Sequence, residues 1–125
     1  MAALPRTILV GYDDSDAARR ALDRAADLAG YGSRLTVVSV ARDGGPLPHD
    51  VLDNARTRLI ERHVPATYLQ PAGEPADAIV DTAVEIAADL VVVGRRSRGP
   101  IRRGGLGSVS AAVARCAPCE VLVVP

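Results

Sequence analysis

Residues 90–110 read LVVVGRRSRGPIRRGGLGSVS, and this stretch decides how the chain folds. Its four apolar residues, 90–93, predict a strand buried on both faces, and the run stops at Gly94. An arginine- and glycine-rich loop follows, and Gly107-Ser108 then begins an alanine-rich segment typical of a helix. Backbone N–H groups at a helix start point at bound anions, and the helix dipole favours negative charge there. A strand, a basic loop and a helix start in this order therefore indicate a phosphate site.

The rest of the chain alternates short apolar runs with helical segments. Strands are predicted over residues 7–11, 35–40, 66–70, 90–93 and 121–124, and helices over residues 18–29, 49–63, 76–87 and 108–116. This alternation predicts an α/β fold, an open, doubly wound parallel sheet with helices on both faces. Ligands of such sheets bind beyond the carboxyl ends of the strands, where the strand order reverses. If the first and fourth strands are neighbours there, the loops that follow them face one crevice.

The composition limits the functions that the chain can perform. Its 125 residues predict a single domain, residues 1–125, with a core built from Val, Leu, Ile and Ala because Phe and Trp are absent. Fifteen basic residues balance fifteen acidic ones, so the net charge favours neither nucleic acid nor a membrane as a partner. Every basic residue is Arg, which excludes a P-loop of the GxxxxGK[ST] type and Schiff-base lysine chemistry.

Localisation and redox class follow from what the sequence lacks. The first residues do not resemble a signal peptide, and no run approaches the ~18 apolar residues of a membrane span, so we expect a soluble, cytoplasmic protein. Cys116 and Cys119 have Cys-x-x-Cys spacing but no second pair that would complete a zinc site. Redox motifs of this kind lie at a helix start, whereas these cysteines follow a predicted helix. Neither metal nor redox chemistry is expected of them.

Two loops carry the side chains best suited to a nucleotide. Five arginines fall within nine residues of one loop: Arg95, Arg96, Arg98, Arg102 and Arg103. A guanidinium can donate two hydrogen bonds to one phosphate, so we expect one or two of them to touch a ligand. At the end of the first strand, Asp13 could accept from ribose hydroxyls or hold a divalent cation beside phosphates. Helix capping is the alternative role for Asp13, although Ser15 or Asp16 would serve it equally well.

Other enzyme classes fit the motifs poorly. The spacing Gly105-x-Gly107-x-x-Ser110 resembles a dinucleotide fingerprint only loosely, and no strand immediately precedes it. Ser97 does not lie in a GxSxG turn, which argues against a serine hydrolase. We expect His49 and His63 to lie on the surface.

The sequence resembles that of the universal stress protein family along almost the whole chain. Residues 8–22, ILVGYDDSDAARRAL, are similar to the family's first strand, where an Asp-x-Ser turn leads into a helix. Gly73-Glu74-Pro75 followed by Ile79 is similar to the start of its third helix, and APCEVLVVP at the end is similar to its last strand.

The most specific part of the resemblance is the family's nucleotide motif, which is Gly, two residues, Gly, nine residues, and Gly-Ser or Gly-Thr. Gly94 and the pair Gly107-Ser108 match it, with nine residues between Ser97 and Gly107. Ser97 stands where the motif has its second glycine. If that position requires a positive φ, serine costs roughly 1–2 kcal/mol relative to glycine, although its hydroxyl could offset this by donating to a phosphate.

The resemblance implies a Rossmann-like sheet of the adenine nucleotide alpha hydrolase type, in the order 3-2-1-4-5. It implies that ATP binds in the crevice together with Mg²⁺ or Mn²⁺. Asp13 would contact the ribose and could also hold the metal ion, and the backbone of Val40 would contact the edge of the adenine. The full set of implied contact residues is Gly11, Tyr12, Asp13, Val40, Gly94, Arg96, Ser97, Gly107, Ser108, Val109 and Ser110.

Three functions are compatible with this resemblance. The first is a stress-response regulatory protein that binds ATP with little or no turnover. The second is a dimeric interaction scaffold of the same family that binds no nucleotide, and the third is a weak ATPase that uses Asp13 with Mg²⁺. The family also commonly dimerises through its last strand, which implies a homodimer formed by Val121, Leu122, Val123 and Val124.

Overall fold

The computed structural model describes residues 6–30, 32–41, 49–95 and 107–125. Within these ranges, strands and helices alternate along the chain. The elements are β1 (Thr7–Gly11), α1 (Asp16–Ala29), β2 (Arg34–Val38), α2 (His49–Glu61), β3 (Thr67–Leu69), α3 (Pro75–Glu85), β4 (Leu90–Gly94), α4 (Ser108–Cys116) and β5 (Glu120–Val124).

The five strands form one parallel sheet in the order β3-β2-β1-β4-β5. Val10 in β1 lies opposite Val37 on one side and Val92 on the other. The chain winds outward in one direction from β1 to β3 and in the other from β4 to β5, so the order reverses between β1 and β4. The doubly wound α/β fold and the strand order predicted from the sequence are therefore confirmed.

The sheet is buried on both faces, which explains why its strands are continuously apolar. Ile8 and Val10 of β1 pack with α1 and α2 on one face, in a cluster that also contains Tyr12. Leu9 of the same strand packs with α3 and α4 on the other face, together with Val91. Aliphatic side chains make up almost all of this core, as the composition predicted.

Three elements, β2, α2 and α3, end two residues earlier than the apolar pattern predicts, and β3 ends one residue earlier. Helix α3 ends at Glu85 rather than at residue 87, and Ala87 has a left-handed backbone with φ 53°. Strand β2 ends at Val38 rather than at residue 40, because the Ser39 hydroxyl donates to the Tyr12 carbonyl at 2.7 Å and takes the place of the next ladder bond. Helix α2 ends at Glu61 rather than at residue 63, because His63 has a left-handed backbone with φ 58°. A left-handed residue cannot continue a right-handed helix.

An ion-pair network on the outer side of the helices joins α1 to α2. The Arg58 guanidinium donates from Nε to Oδ1 and from Nη2 to Oδ2 of Asp23, both at 2.7 Å. Arg62 lies 3.4 Å from Asp23 and also pairs with Asp27. The Arg58 hydrogen bonds, together with the charges of Arg58 and Arg62, hold the pKa of Asp23 below its ordinary value.

Replacing Asp23 by Asn should lower the free energy of unfolding at neutral pH by ~0.5–1 kcal/mol, because partly exposed ion pairs are screened by solvent. The depressed pKa means that this contribution is present above the unfolded-state pKa and is lost as the pH falls through the folded-state value. Urea unfolding of both proteins should show the difference shrinking below about pH 4. The exposed Asp53→Asn variant is the control, and a difference that persists in acid would contradict the assignment.

Candidate functional site

A cleft opens at the carboxyl ends of β1 and β4, where the strand order reverses. It contains about 560 Å³ of empty space, counting the part that is open to solvent. The cleft wall includes seven residues that sequence analysis predicted: Gly11, Tyr12, Asp13, Val40, Gly94, Val109 and Ser110. It also includes six that sequence analysis missed: Ser15, Ala18, Val38, Pro75, Ile79 and Val93.

The remaining predicted site residues fall into two groups. Gly107 and Ser108 form the start of α4, directly before Val109 in the cleft wall. Arg96 and Ser97 lie outside the described residues, as do three more of the loop arginines. Arg95 is described and exposed.

The cleft lining combines apolar and polar residues. Val38, Ile79 and Val93 belong to the core cluster on the α3–α4 face of the sheet, whereas Asp13 and Ser110 are polar. Ile79 lies in α3, far from the glycine-rich loop in sequence, and only the pattern over residues 73–79 pointed to it. Such a cleft can receive a ligand that has one flat apolar part and one polar part.

The ladder between the ends of β1 and β2 stops at Tyr12 and Val40, which both line the cleft. The Tyr12 N–H donates to the Val38 carbonyl at 2.9 Å and extends the ladder one residue beyond β1. The Tyr12 carbonyl accepts from the Ser39 hydroxyl instead of from the N–H of Val40, the residue that would bond to it in a longer strand. This exchange ends β2 and removes the ladder partner of the Val40 N–H at the point where Val40 lines the cleft.

Asp13 is held in a tight turn at the cleft rim. Its Oδ1 accepts from the Ser15 N–H at 3.0 Å, while the Ser15 hydroxyl accepts from the Ala18 N–H at 3.1 Å. Ser15 is therefore the N-cap of α1. Because the cap is supplied by Ser15, capping does not account for the carboxylate of Asp13.

The start of α4 is tied to the end of β4. The Arg95 carbonyl accepts from the Gly107 N–H and from the Ser110 hydroxyl, each at 2.8 Å. Gly107 is the N-cap of α4, and as a glycine it supplies no side-chain cap to this helix start. The N-terminal N–H groups of a helix favour an anion, and those of α4 lie beside Val109 and Ser110 of the cleft wall.

The sequence model of the universal stress protein family matches residues 5–68 and 48–125 of this chain. A universal stress protein of Mycobacterium tuberculosis is 34% identical over 139 aligned positions, which cover 95% of each chain. The chain belongs to the universal stress protein family.

Solved structures of universal stress proteins are similar to this chain over nearly its whole length. One, in complex with cAMP, has a TM-score of 0.80 and 29% identity, and the match covers 98% of this chain and 99% of that chain. Another, from Archaeoglobus fulgidus in complex with dAMP, has a TM-score of 0.67 and 28% identity, with 98% and 100% covered. Those two proteins bind adenine nucleotides.

The cysteines of this universal stress protein lie away from the cleft wall. Cys116 is exposed at the end of α4, and Cys119 is half-buried just before β5. Burial, and then the charges of Asp89 and Glu120, raise the pKa of the Cys119 thiol above its ordinary value, which disfavours the reactive thiolate.

Among the described residues, no three His, Cys, Asp or Glu side chains are grouped to hold a metal ion. No helix in the same part of the chain is long and apolar enough to cross a membrane.

Gly94, the first glycine of the family motif, is needed for helix packing. A Cβ at this position would lie 2.7 Å from the Ala17 carbonyl carbon, 2.8 Å from the Ala17 Cβ and 2.9 Å from the Ala18 nitrogen. These atoms belong to the first turn of α1, which therefore rests directly on the end of β4. At Gly11 the added Cβ would lie 3.1 Å from the flexible end of Ile79 and 3.4 Å from Cγ1 of Val93, and it would meet no backbone atom as closely.

We expect Gly94→Ala to lower the free energy of unfolding by roughly 1–3 kcal/mol, because α1 must move away from β4. The matched Gly11→Ala variant should cost less, about 1 kcal/mol or below, since the Ile79 side chain can rotate. Chemical denaturation of the three proteins gives the comparison. Equal stability of Gly94→Ala and the wild type would show that α1 does not need this contact.

Proposed function

We propose that this chain is a regulatory universal stress protein of the cytoplasm that binds ATP and turns it over slowly or not at all. The observation that carries the proposal is the cleft at the strand-order reversal, whose wall contains seven of the predicted nucleotide contacts. The adenine nucleotides bound by two structurally similar proteins support the same ligand class.

The cleft lining suggests how the ligand is oriented. The base would pack against Ile79 and Val93, with its edge at the backbone of Val40. The ribose would lie at the carboxylate of Asp13. The phosphates would then approach the start of α4, where Ser108 and the N-terminal N–H groups favour an anion.

A divalent cation would arrive together with the phosphates. Mg²⁺ is commonly held by one or two carboxylates and by the phosphates of its nucleotide, so a protein cage is not required. Asp13 is the carboxylate in the cleft wall. Mn²⁺ accepts the same oxygen ligands and would substitute for Mg²⁺.

The ligand itself is tested first on the purified wild type. Denaturation followed by absorbance and mass analysis identifies any nucleotide that the protein carries. Calorimetry with ATP, AMP and cAMP, each with and without Mg²⁺, then ranks the ligands. ATP as the tightest ligand supports the proposal, whereas cAMP or AMP as the tightest would replace ATP within the same cleft. An empty protein that binds none of them would favour the interaction scaffold.

Asp13→Ala and Ser108→Ala should each weaken ATP binding by about tenfold or more, because each removes a hydrogen bond to a charged or polar ligand group. Asp16→Ala is the matched control, since Asp16 is exposed in the same turn and does not line the cleft. Calorimetric titration measures the three affinities. Unchanged affinity in both test variants would place the ligand elsewhere.

ATP hydrolysis above background that is lost in Asp13→Ala would establish the weak ATPase.

The outer edge of β5 supports a homodimer as part of this proposal. β5 is the last strand of the sheet, and its residues Val121–Val124 are only half-buried. The Arg95 N–H donates to the Val124 carbonyl at 2.6 Å, so the polar groups of Val124 face β4. By alternation, those of Val123 point away from β4, where a second copy could pair with them.

Val123→Pro should therefore convert a dimer into a monomer, because proline removes an outward N–H without removing a β4–β5 bond. Analytical ultracentrifugation gives the mass of both proteins, and Val123→Ala is the control that keeps the N–H. A monomeric wild type, or a dimeric Val123→Pro, would contradict pairing through this edge.

A further inference from the structure

Asp14 is a buried carboxylate beside the cleft that is absent from the cleft wall. We propose that Asp14 is a positioning residue, which clamps the end of β1 to α2 and thereby makes α2 a determinant of nucleotide affinity. This inference rests on the proposed function, because it concerns the same cleft. It adds a control element, since α2 contributes no residue to the described cleft wall.

Both oxygens of Asp14 are hydrogen-bonded to side chains. The Tyr12 hydroxyl donates to Oδ1 at 2.7 Å, and the Asn54 amide donates from Nδ2 to Oδ2 at 2.8 Å. Asp14 is only 7% exposed. A buried carboxylate is costly unless it is hydrogen-bonded, so these two contacts are what make its position tolerable.

The contact with Tyr12 fixes the floor of the cleft. Tyr12 is bound through its N–H to Val38, through its carbonyl to Ser39 and through its hydroxyl to Asp14. Burial, and then the hydrogen bond and charge of Asp14, raise the pKa of Tyr12 well above its ordinary value, so the phenol stays a donor at neutral pH. Its chain neighbours Gly11 and Asp13 both line the cleft, so the position of Tyr12 sets theirs.

The backbone conformation of Asp14 indicates that its carboxylate has a structural role. Its φ is 66°, in the left-handed region where glycine fits without steric cost. A residue with a side chain stays in that region when interactions with its surroundings hold it there. Ser15 already caps α1, so capping does not explain the carboxylate. The interactions with Tyr12 and Asn54 explain it.

The contact with Asn54 connects α2 to the cleft. Two other polar contacts of α2 lead elsewhere: Arg58 pairs with Asp23 in α1, and Arg56 lies over the Tyr68 ring of β3 at 4.4 Å. The apolar side chains of α2 share a core cluster with Tyr12, and Asn54 adds a hydrogen bond to the turn that carries Asp13. Binding that orders this turn would therefore also stabilise α2, and by reciprocity an interaction that stabilises α2 would strengthen binding.

The test compares four variants with the wild type in calorimetric titrations with ATP-Mg²⁺, at a temperature where all of them are folded. Asp14→Gly removes the carboxylate and keeps the left-handed backbone, and Asn54→Ala removes only the link to α2. We expect each to raise the Kd by about fivefold or more. Asp14→Asn should bind nearly like the wild type, because Asn tolerates positive φ and can contact Tyr12 and a flipped Asn54 amide. Asp53→Ala, an exposed α2 change, is the control.

Two further measurements separate positioning from general stability. Asp14→Gly combined with Asn54→Ala should bind no more weakly than Asp14→Gly alone, because both remove the same link. Hydrogen exchange in α2 should slow when ATP binds to the wild type and should be unaffected by ATP in Asn54→Ala. Loss of stability alone would lower protection in both states and would not abolish the response to ATP.

The outcomes distinguish this inference from the proposed function. Absence of nucleotide binding by the wild type would overturn both. Wild-type binding with an unchanged Kd in Asp14→Gly and Asn54→Ala would overturn the clamp and leave the proposed function standing. A Kd raised in Asp14→Gly alone would overturn the part assigned to α2. A Kd raised equally in Asp14→Asn and Asp14→Gly would show that charge, rather than hydrogen bonding, is required.

Discussion

The close approach of α1 to the end of β4 is the constraint on which the rest of the structure depends. Ala17 and Ala18 lie so near to Gly94 that no side chain fits between them. This contact brings the turn after β1 and the end of β4 to the same point of the sheet. Without it, the helix start that carries Ser15 and the strand end at Gly94 could not line one cleft.

The cleft combines two layers of the molecule that are otherwise separated by the sheet. The layer of α1 and α2 supplies the polar turn, which includes Asp13, and holds it through buried and part-buried hydrogen bonds. The layer of α3 and α4 supplies Ile79 and Val109, together with the start of α4. One cleft therefore draws polar and apolar residues from both layers.

The sequence predicted the elements well wherever a single physical rule governed them. Apolar runs of four or five residues marked the central strands, and Pro75, from the Gly-Glu-Pro stretch that resembles the start of the family's third helix, is the first residue of α3. Predictions failed where a side chain replaced a backbone partner, as Ser39 does at the end of β2. The link between Asp14 and Asn54 joins residues forty positions apart, and no local pattern pairs them. Ser97, the departure from the family motif, lies outside the described residues, so its cost stays a prediction.

The bond from the Ser39 hydroxyl to the Tyr12 carbonyl has a consequence for how ligand preference can be inherited in such a fold. It takes the ladder partner from the Val40 N–H, at a residue that lines the cleft. Any residue except proline offers the same N–H there. Two relatives could therefore offer the same backbone donor to a ligand while sharing no residue at this position. Their common specificity would be encoded one residue earlier, in the side chain that ends the strand.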